Sequence, residues 1–237
     1  FMLGAAGVAG FALVFFGLPE SLPRGERRRQ DPAAMLRLFG DMLRDPRFIG
    51  PALTMALSFA MTFTYISAFS FVSQSEFGAT PQQFSLIFGI NALGMILGNQ
   101  LNAALINKMD TPRRLFLGLL GGAAAVTLLG GLHLSGQATL VSVTAVLFVM
   151  MFCTGLISPN ATTLAVVSRP SSEAGTASAL LGTLQFALGG GLASLAGLTG
   201  AGEATLASMI VVMLITSVSA AALFTAVSVR VRVTAAA

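Results

Sequence analysis

The sequence is poor in charge. Only 22 of its 237 residues are Asp, Glu, Lys or Arg (9%), while 55% are apolar and 26 more are glycine. A water-soluble domain carries about 25% charged residues, so this chain could not clothe a surface that faces water. The single cysteine, Cys153, excludes a disulfide framework and a cysteine-based metal site. With one histidine, His133, neither a histidine-rich metal site nor a Ser-His-Asp triad has enough material. The net charge of +4 and pI near 10.6 would suit a nucleic-acid binder, but the cations stand only between long apolar runs. The chain reads as an all-α integral membrane protein, with no nucleic-acid partner and with the lipid bilayer as its solvent.

Seven stretches are long enough to cross a bilayer core, which takes about 20 apolar residues as a helix. They are Phe1–Leu18, Phe48–Val72, Phe84–Ile106, Leu115–Leu132, Leu140–Val167, Ala174–Leu198 and Ala204–Val229. Together they hold 163 residues and not one Asp, Glu, Lys or Arg. Transmembrane β-strands alternate over about ten residues, and these runs do not. Prolines 19, 23, 81, 112 and 170 fall between the runs, where they end or start helices at little cost. Pro159 lies inside the fifth run and is expected to kink it, freeing a carbonyl for neighbours or water.

All 13 Lys and Arg residues fall in alternate loops, after the first, third, fifth and seventh runs. Cytoplasmic loops accumulate these residues, so the C-terminus is expected in the cytoplasm and the first run is expected to enter from outside. An odd number of spans would then precede Phe1, and the chain is expected to be the C-terminal part of a larger protein. Residues 19–47 read as a cytoplasmic linker. Within it Asp31-Pro32 resembles a helix start, and Met35, Leu36, Phe39, Met42 and Leu43 recur at helical spacing. A short helix lying on the cytoplasmic leaflet is expected there.

Polar residues divide the runs. The first, fourth and seventh carry little beyond hydrocarbon and hydroxyls and are expected to face lipid. The second places Thr54, Ser58, Thr62, Tyr65 and Phe69 on one face, and the third Asn91, Met95, Asn99 and Asn102. The fifth holds Ser142, Thr144, Met150, Met151, Thr154, Ser158 and Asn160, and the sixth aligns Ser178, Gly182, Gln185 and Gly189. A carboxamide in hydrocarbon must find a partner. For Asn99 and Asn102 the favoured reading is hydrogen bonding between helices. For Tyr65, Asn91 and Gln185, near mid-membrane depth, such bonding and a cavity role stand side by side. Gly94 and Gly98 form a GxxxG pair that serves packing or a hinge, and Gly189, Gly190 and Gly191 bring another helix near or loosen their own. His133, Glu76 and Glu203 read as solvated.

Several local motifs occur in order along nearly the whole chain. They are Leu18-Pro-Glu-Ser-Leu-Pro23, Arg44-Asp-Pro-Arg-Phe48, Asn91-Ala-Leu-Gly94 with Asn102-Ala, Ser158-Pro-Asn-Ala-Thr162, and Ala174-Gly-Thr-Ala-Ser-Ala-Leu-Leu-Gly182. With them the chain resembles the major facilitator superfamily, and within it the Bcr/CflA-type drug–proton antiporters. Asp110-Thr-Pro-Arg113-Arg114 is similar to a degenerate copy of the family's cytoplasmic Asp/Arg loop. The resemblance implies the family's sixth to twelfth helices: residues 1–18 as the last helix of the N-terminal half, and residues 48–237 as a six-helix domain. Those six helices would form a 3+3 inverted repeat.

By that resemblance the parent protein would export small amphipathic compounds across a bacterial inner membrane, driven by the proton gradient and without a bound cofactor. Tyr65 and Phe69 could stack on a substrate, Asn91 and Gln185 could orient its polar groups, and Met150 and Met151 could give adaptable contact. Gly94, Gly98, Gly182, Asp110, Arg113, Arg114, Pro159 and Asn160 would serve structure or conformational change. The spans hold no carboxylate to couple protons, so that acid would lie in the N-terminal half, the other partner, and the chain is expected not to transport alone. A carrier for one sugar or metabolite, a membrane-embedded enzyme and a non-transporting remnant are the alternatives. Metabolite sites often use charged groups, which these runs lack; an enzyme needs a base, metal or nucleophile at depth, and Cys153 has no His or acid near it in sequence and reads as an inert apolar thiol.

Overall fold

The computed structural model describes residues 2–17, 32–198 and 204–236. The described residues form eight α-helices and one short turn of 3₁₀-helix, Ser171–Glu173, with no strand among them. The helices are α1 (Met2–Gly17), α2 (Pro32–Arg44), α3 (Pro46–Ser75), α4 (Pro81–Leu105), α5 (Thr111–Leu134), α6 (Leu140–Val167), α7 (Ala174–Leu198) and α8 (Leu206–Ala236). The motif Leu18–Pro23, Arg24, Arg27 to Arg29, Asp31, Glu203 and the side chains of Arg230 and Arg232 lie outside the described residues.

Six helices, α3 to α8, are long and apolar enough to cross a membrane; α1 is apolar but only 16 residues long. Seven runs were expected to do so, and the first is described for its helical part only. Several helices begin earlier than their apolar runs, because capping groups carry them into polar flanks. Asp45 caps α3, accepting from the Arg47 amide at 3.0 Å, with Pro46 in the first turn. Thr80 and Gln83 exchange hydrogen bonds at the start of α4, as Thr139 and Ser142 do at α6 and Thr205 and Ser208 at α8. The short helix expected within the linker is present as α2.

Residues Phe1–Leu38 and Phe39–Ala237 make up two compact units. In the second, α3 packs on α6, α7 and α8, while α6 packs on α3, α4 and α5, and α5 meets α8. Exchanging the triplet α3–α5 with α6–α8 maps these packings onto one another, as the inverted repeat requires. At the middle, α3 and α6 are buried over more of their length than any other span. Met61, Tyr65, Phe69, Leu129, Leu147, Met150, Met209 and Met213 form the core between them and their neighbours.

The division of helices by polarity needs correction. α5 buries Leu115, Leu119, Val126 and Leu129, and α8 buries Leu206, Met209, Met213 and Ala220. Their other faces, such as Leu117, Leu120, Leu128, Val211 and Ile215, are exposed. Neither helix faces lipid alone. Conversely α4, with its stripe of asparagines, exposes Leu86, Leu93, Ile96 and Leu97. A leucine packs as readily on protein as on lipid tails, so apolar content does not distinguish the two neighbours.

The glycine pair of α4 marks a close crossing with α6. A Cβ on Gly94 would stand 2.7 Å from the Phe148 carbonyl oxygen, and one on Gly98 would overlap the Phe152 carbonyl. From the other side, a Cβ on Gly155 would come within 2.7 Å of the Asn99 nitrogen. These positions serve packing. Gly189 lies against the ring of Phe59, whereas added Cβ atoms at Gly182, Gly190 and Gly191 would meet nothing within 4 Å.

Two polar ties close the ends of the bundle. Glu76 is not merely solvated: its carboxylate accepts from the Leu206 amide at 2.6 Å, fastening the α3–α4 turn to the positive end of α8. At the opposite end Arg169 binds Glu173 (2.7 Å) and Asp45 (3.2 Å). The Glu173 hydrogen bonds raise the Arg169 pKa, burial opposes them, and the charges of Glu173 and Asp45 add to the rise. Each of the three side chains is 17–26% exposed, so the cluster is screened but not fully solvated. Arg169→Met is expected to cost about 1–2 kcal/mol in a thermal-unfolding comparison.

Candidate functional site

The site grows from two helical stripes. Tyr65 and Phe69 are one turn apart on α3, and Phe84, Phe88 and Asn91 recur along one face of α4. The rings meet: Tyr65 stacks on Phe88 with centroids 5.8 Å apart and planes at 13°, and contacts Phe69 at 5.4 Å. Phe84 joins Phe69 at 6.2 Å and Phe88 at 5.8 Å. Within this aromatic group Asn91 Nδ2 donates to Tyr65 Oη at 2.9 Å. Tyr65, Phe69 and Asn91 are wholly buried, while Phe84 and Phe88 are half-buried.

The Asn91 amide is only half satisfied. Its Oδ1 is buried and has no hydrogen-bond partner. Leaving such an acceptor unpaired costs about 1–3 kcal/mol, and burial sharpens the cost. Since Tyr65 Oη accepts from Asn91, the phenolic hydrogen remains free to donate. The pair therefore offers one donor and one acceptor side by side, in a place otherwise made of rings and thioethers.

Met150 and Met151 belong to the same buried cluster, with Met61 and Ile87. The structure thus brings together Tyr65, Phe69, Asn91, Met150 and Met151. Gln185 is half-buried on α7. Of the α3 stripe, Thr54 and Ser58 bond back to Gly50 and Thr54 carbonyls, and Thr62 bonds to its own helix and touches Thr154 at 3.3 Å.

A second polar group lies where α4, α5 and α6 converge. Asn102 Oδ1 accepts from Arg114 Nη1 at 2.8 Å and from Asn160 Nδ2 at 2.7 Å. Arg114 also donates to the Met109 carbonyl and the Thr111 hydroxyl, and Asn160 to the Leu156 carbonyl at 2.6 Å. Arg114 is 6% exposed and every one of these partners is neutral. Asp110 and Arg113 are exposed and make no ion pair among the described residues. Asn102 does join helices, whereas Asn99 is exposed and bonds back to the Met95 carbonyl of its own helix.

The sequence reading passed over Phe84 and Phe88, although their spacing to Asn91 puts them on the same face. It also passed over the burial of Arg114. No group of three His, Cys, Asp or Glu side chains is placed to hold a metal among the described residues.

Comparison with known proteins fits this architecture. Residues 1–194 match the family model of the Major Facilitator Superfamily. The chain is 31% identical over 217 residues to the uncharacterized MFS-type transporter YdgK of Bacillus subtilis, covering 89% of this chain and 52% of that protein. It is 28% identical over 199 residues to a bicyclomycin resistance protein homolog of Haemophilus influenzae, covering 82% of this chain and 48% of the relative. The chain spans about half the length of these relatives. With its six membrane-crossing helices, paired triplets and family match, this chain belongs to the major facilitator superfamily of multi-pass membrane transporters, which are not enzymes.

Proposed function

We propose that this chain is the C-terminal, substrate-facing half of a Bcr/CflA-type antiporter that exports small amphipathic compounds across a bacterial inner membrane in exchange for protons. The observation that carries this reading is the Tyr65–Asn91 pair, which keeps an unpaired acceptor inside an aromatic group. Rings and methionines accept varied apolar bodies, and one donor–acceptor pair orients a polar edge. Gln185 supplies a further amide from α7. Opening of the α3–α4 contact at Phe84 and Phe88 exposes the pair to substrate. The resistance homolog among the relatives supports a drug substrate, and the basic residues confined to alternate loops support a cytoplasmic C-terminus. The six spans contain no carboxylate between their ends, so the proton-carrying acid belongs to the other half of the polypeptide.

The test is export of an amphipathic fluorescent dye by the complete protein in an efflux-deficient bacterium. An uncoupler should abolish export. Asn91→Leu should lower it roughly tenfold at unchanged membrane abundance, the worth of one hydrogen bond in the transition state for transport. Tyr65→Phe with Asn91→Leu should fold normally, since both polar partners leave together. Export that ignores both the uncoupler and Asn91 would overturn the reading, and uptake of a sugar or metabolite with no dye export would replace it.

A further inference from the structure

A continuous two-part recess along α5, α8 and the α4–α5 turn is not used by the transport reading. Its apolar part is a groove of about 380 Å³, floored by Phe224 and walled by Met109, Phe116 and Leu117. Its polar part is a cup of about 400 Å³ around the α4–α5 turn, lined by Lys108, Asp110, Thr111 and Arg114 among others. Met109 and Arg113 line both, so the two are joined.

The cup is electrostatically incomplete. Lys108, Arg113 and Arg114 face a single carboxylate, Asp110, and no ion pair forms among them. Arg114 is the sharpest case, since its guanidinium is buried yet held by neutral groups alone. Buried charge without a counter-ion is costly; an anion entering the cup would relieve it. The groove beside the cup starts where α5 leaves the polar turn and continues along the apolar surfaces of Phe116 and Leu117, which are 39% and 48% exposed.

From these contiguous halves we infer that the recess binds an anionic phospholipid, with its phosphate in the cup at Arg113 and Lys108 and an acyl chain against Phe116, Leu117 and Phe224. A soluble anion would use the cup alone and a neutral lipid the groove alone. An anionic lipid uses both, and it is present wherever a helix of this length meets a bacterial bilayer surface. Basic pockets between membrane helices hold such headgroups by this combination of local charge and apolar contact.

The experiment is native mass spectrometry of the complete protein, with phosphatidylglycerol or phosphatidylcholine added to the detergent. Phosphatidylglycerol should be retained preferentially. Arg113→Ala with Lys108→Ala should lower its apparent affinity more than tenfold, at about fivefold for each charge near the surface. Asp110→Asn removes the opposing carboxylate and should raise affinity about fivefold, a gain that misfolding could not produce. Thr225→Trp fills the groove without touching the cup and should expel the lipid. Equal retention of phosphatidylcholine, or indifference to the charge variants, would overturn the inference. Lipid retained unchanged by Thr225→Trp would overturn it too, leaving a headgroup anion alone in the cup.

Discussion

Gly98→Ala is expected to prevent α4 and α6 from packing. The new methyl would overlap the Phe152 carbonyl and stand 3.2 Å from the Gly155 Cα. These are backbone atoms, so no rotamer change can make room and the two helices must separate. Extra methylenes in a packed core cost about 1–3 kcal/mol even where side chains can shift; here the cost should exceed about 3 kcal/mol. The measurement is the yield of monodisperse protein in mild detergent and its thermal midpoint. Gly182→Ala and Gly190→Ala, with nothing within 4 Å of the new carbon, should be harmless or gain about 0.5–1 kcal/mol from helix propensity. Equal damage from all three would mean that these glycines act by loosening their helices and not by admitting a neighbour.

The second large effect belongs to Asn102. Its side-chain oxygen is shared by Arg114 of α5 and Asn160 of α6. Asn102→Leu leaves a buried guanidinium and a buried amide each short of an acceptor, and should cost about 3 kcal/mol. Asn102→Asp preserves the acceptor oxygen that both donors share and sets a negative charge beside Arg114. It should be at least as stable as the parent protein in the same thermal-unfolding assay. If the aspartate proves as damaging as the leucine, the shape of the asparagine matters here and not its role as acceptor for a buried cation.

What could be read from the chain and what could not follow from the range of the forces involved. The six long spans were legible because a bilayer excludes charge over a length that the sequence displays directly. Their starts were less so: Asp45 and Thr80 cap α3 and α4 in flanks that look polar on the page. The stripes bearing Tyr65 and Asn91 follow from a period of 3.6, and the same period reaches Phe84 and Phe88. Periodicity cannot tell which stripe meets which. The Arg114–Asn102 bond crosses 12 residues and the Glu76–Leu206 bond 130, and no local rule foretells either. The inward faces of α5 and α8 were hidden for a different reason, since the same leucines suit a helix surface in lipid and one in a protein core.

The exchange symmetry of the packing has a consequence for biosynthesis. α3 leaves the ribosome before the rest of its domain, yet α7 and α8, two of its principal partners, come last. At about 5–20 residues per second, α3 waits on the order of ten seconds before α8 is available. It is suited to waiting. Thr54, Ser58, Thr62 and Thr64 each donate to a carbonyl one turn back in their own helix. A nascent α3 can therefore sit among lipid tails with its hydroxyls already satisfied. Assembly of the core then awaits translation of the final helix, so a ribosome stalled before Leu206 would leave an inserted membrane segment with its central face still unoccupied.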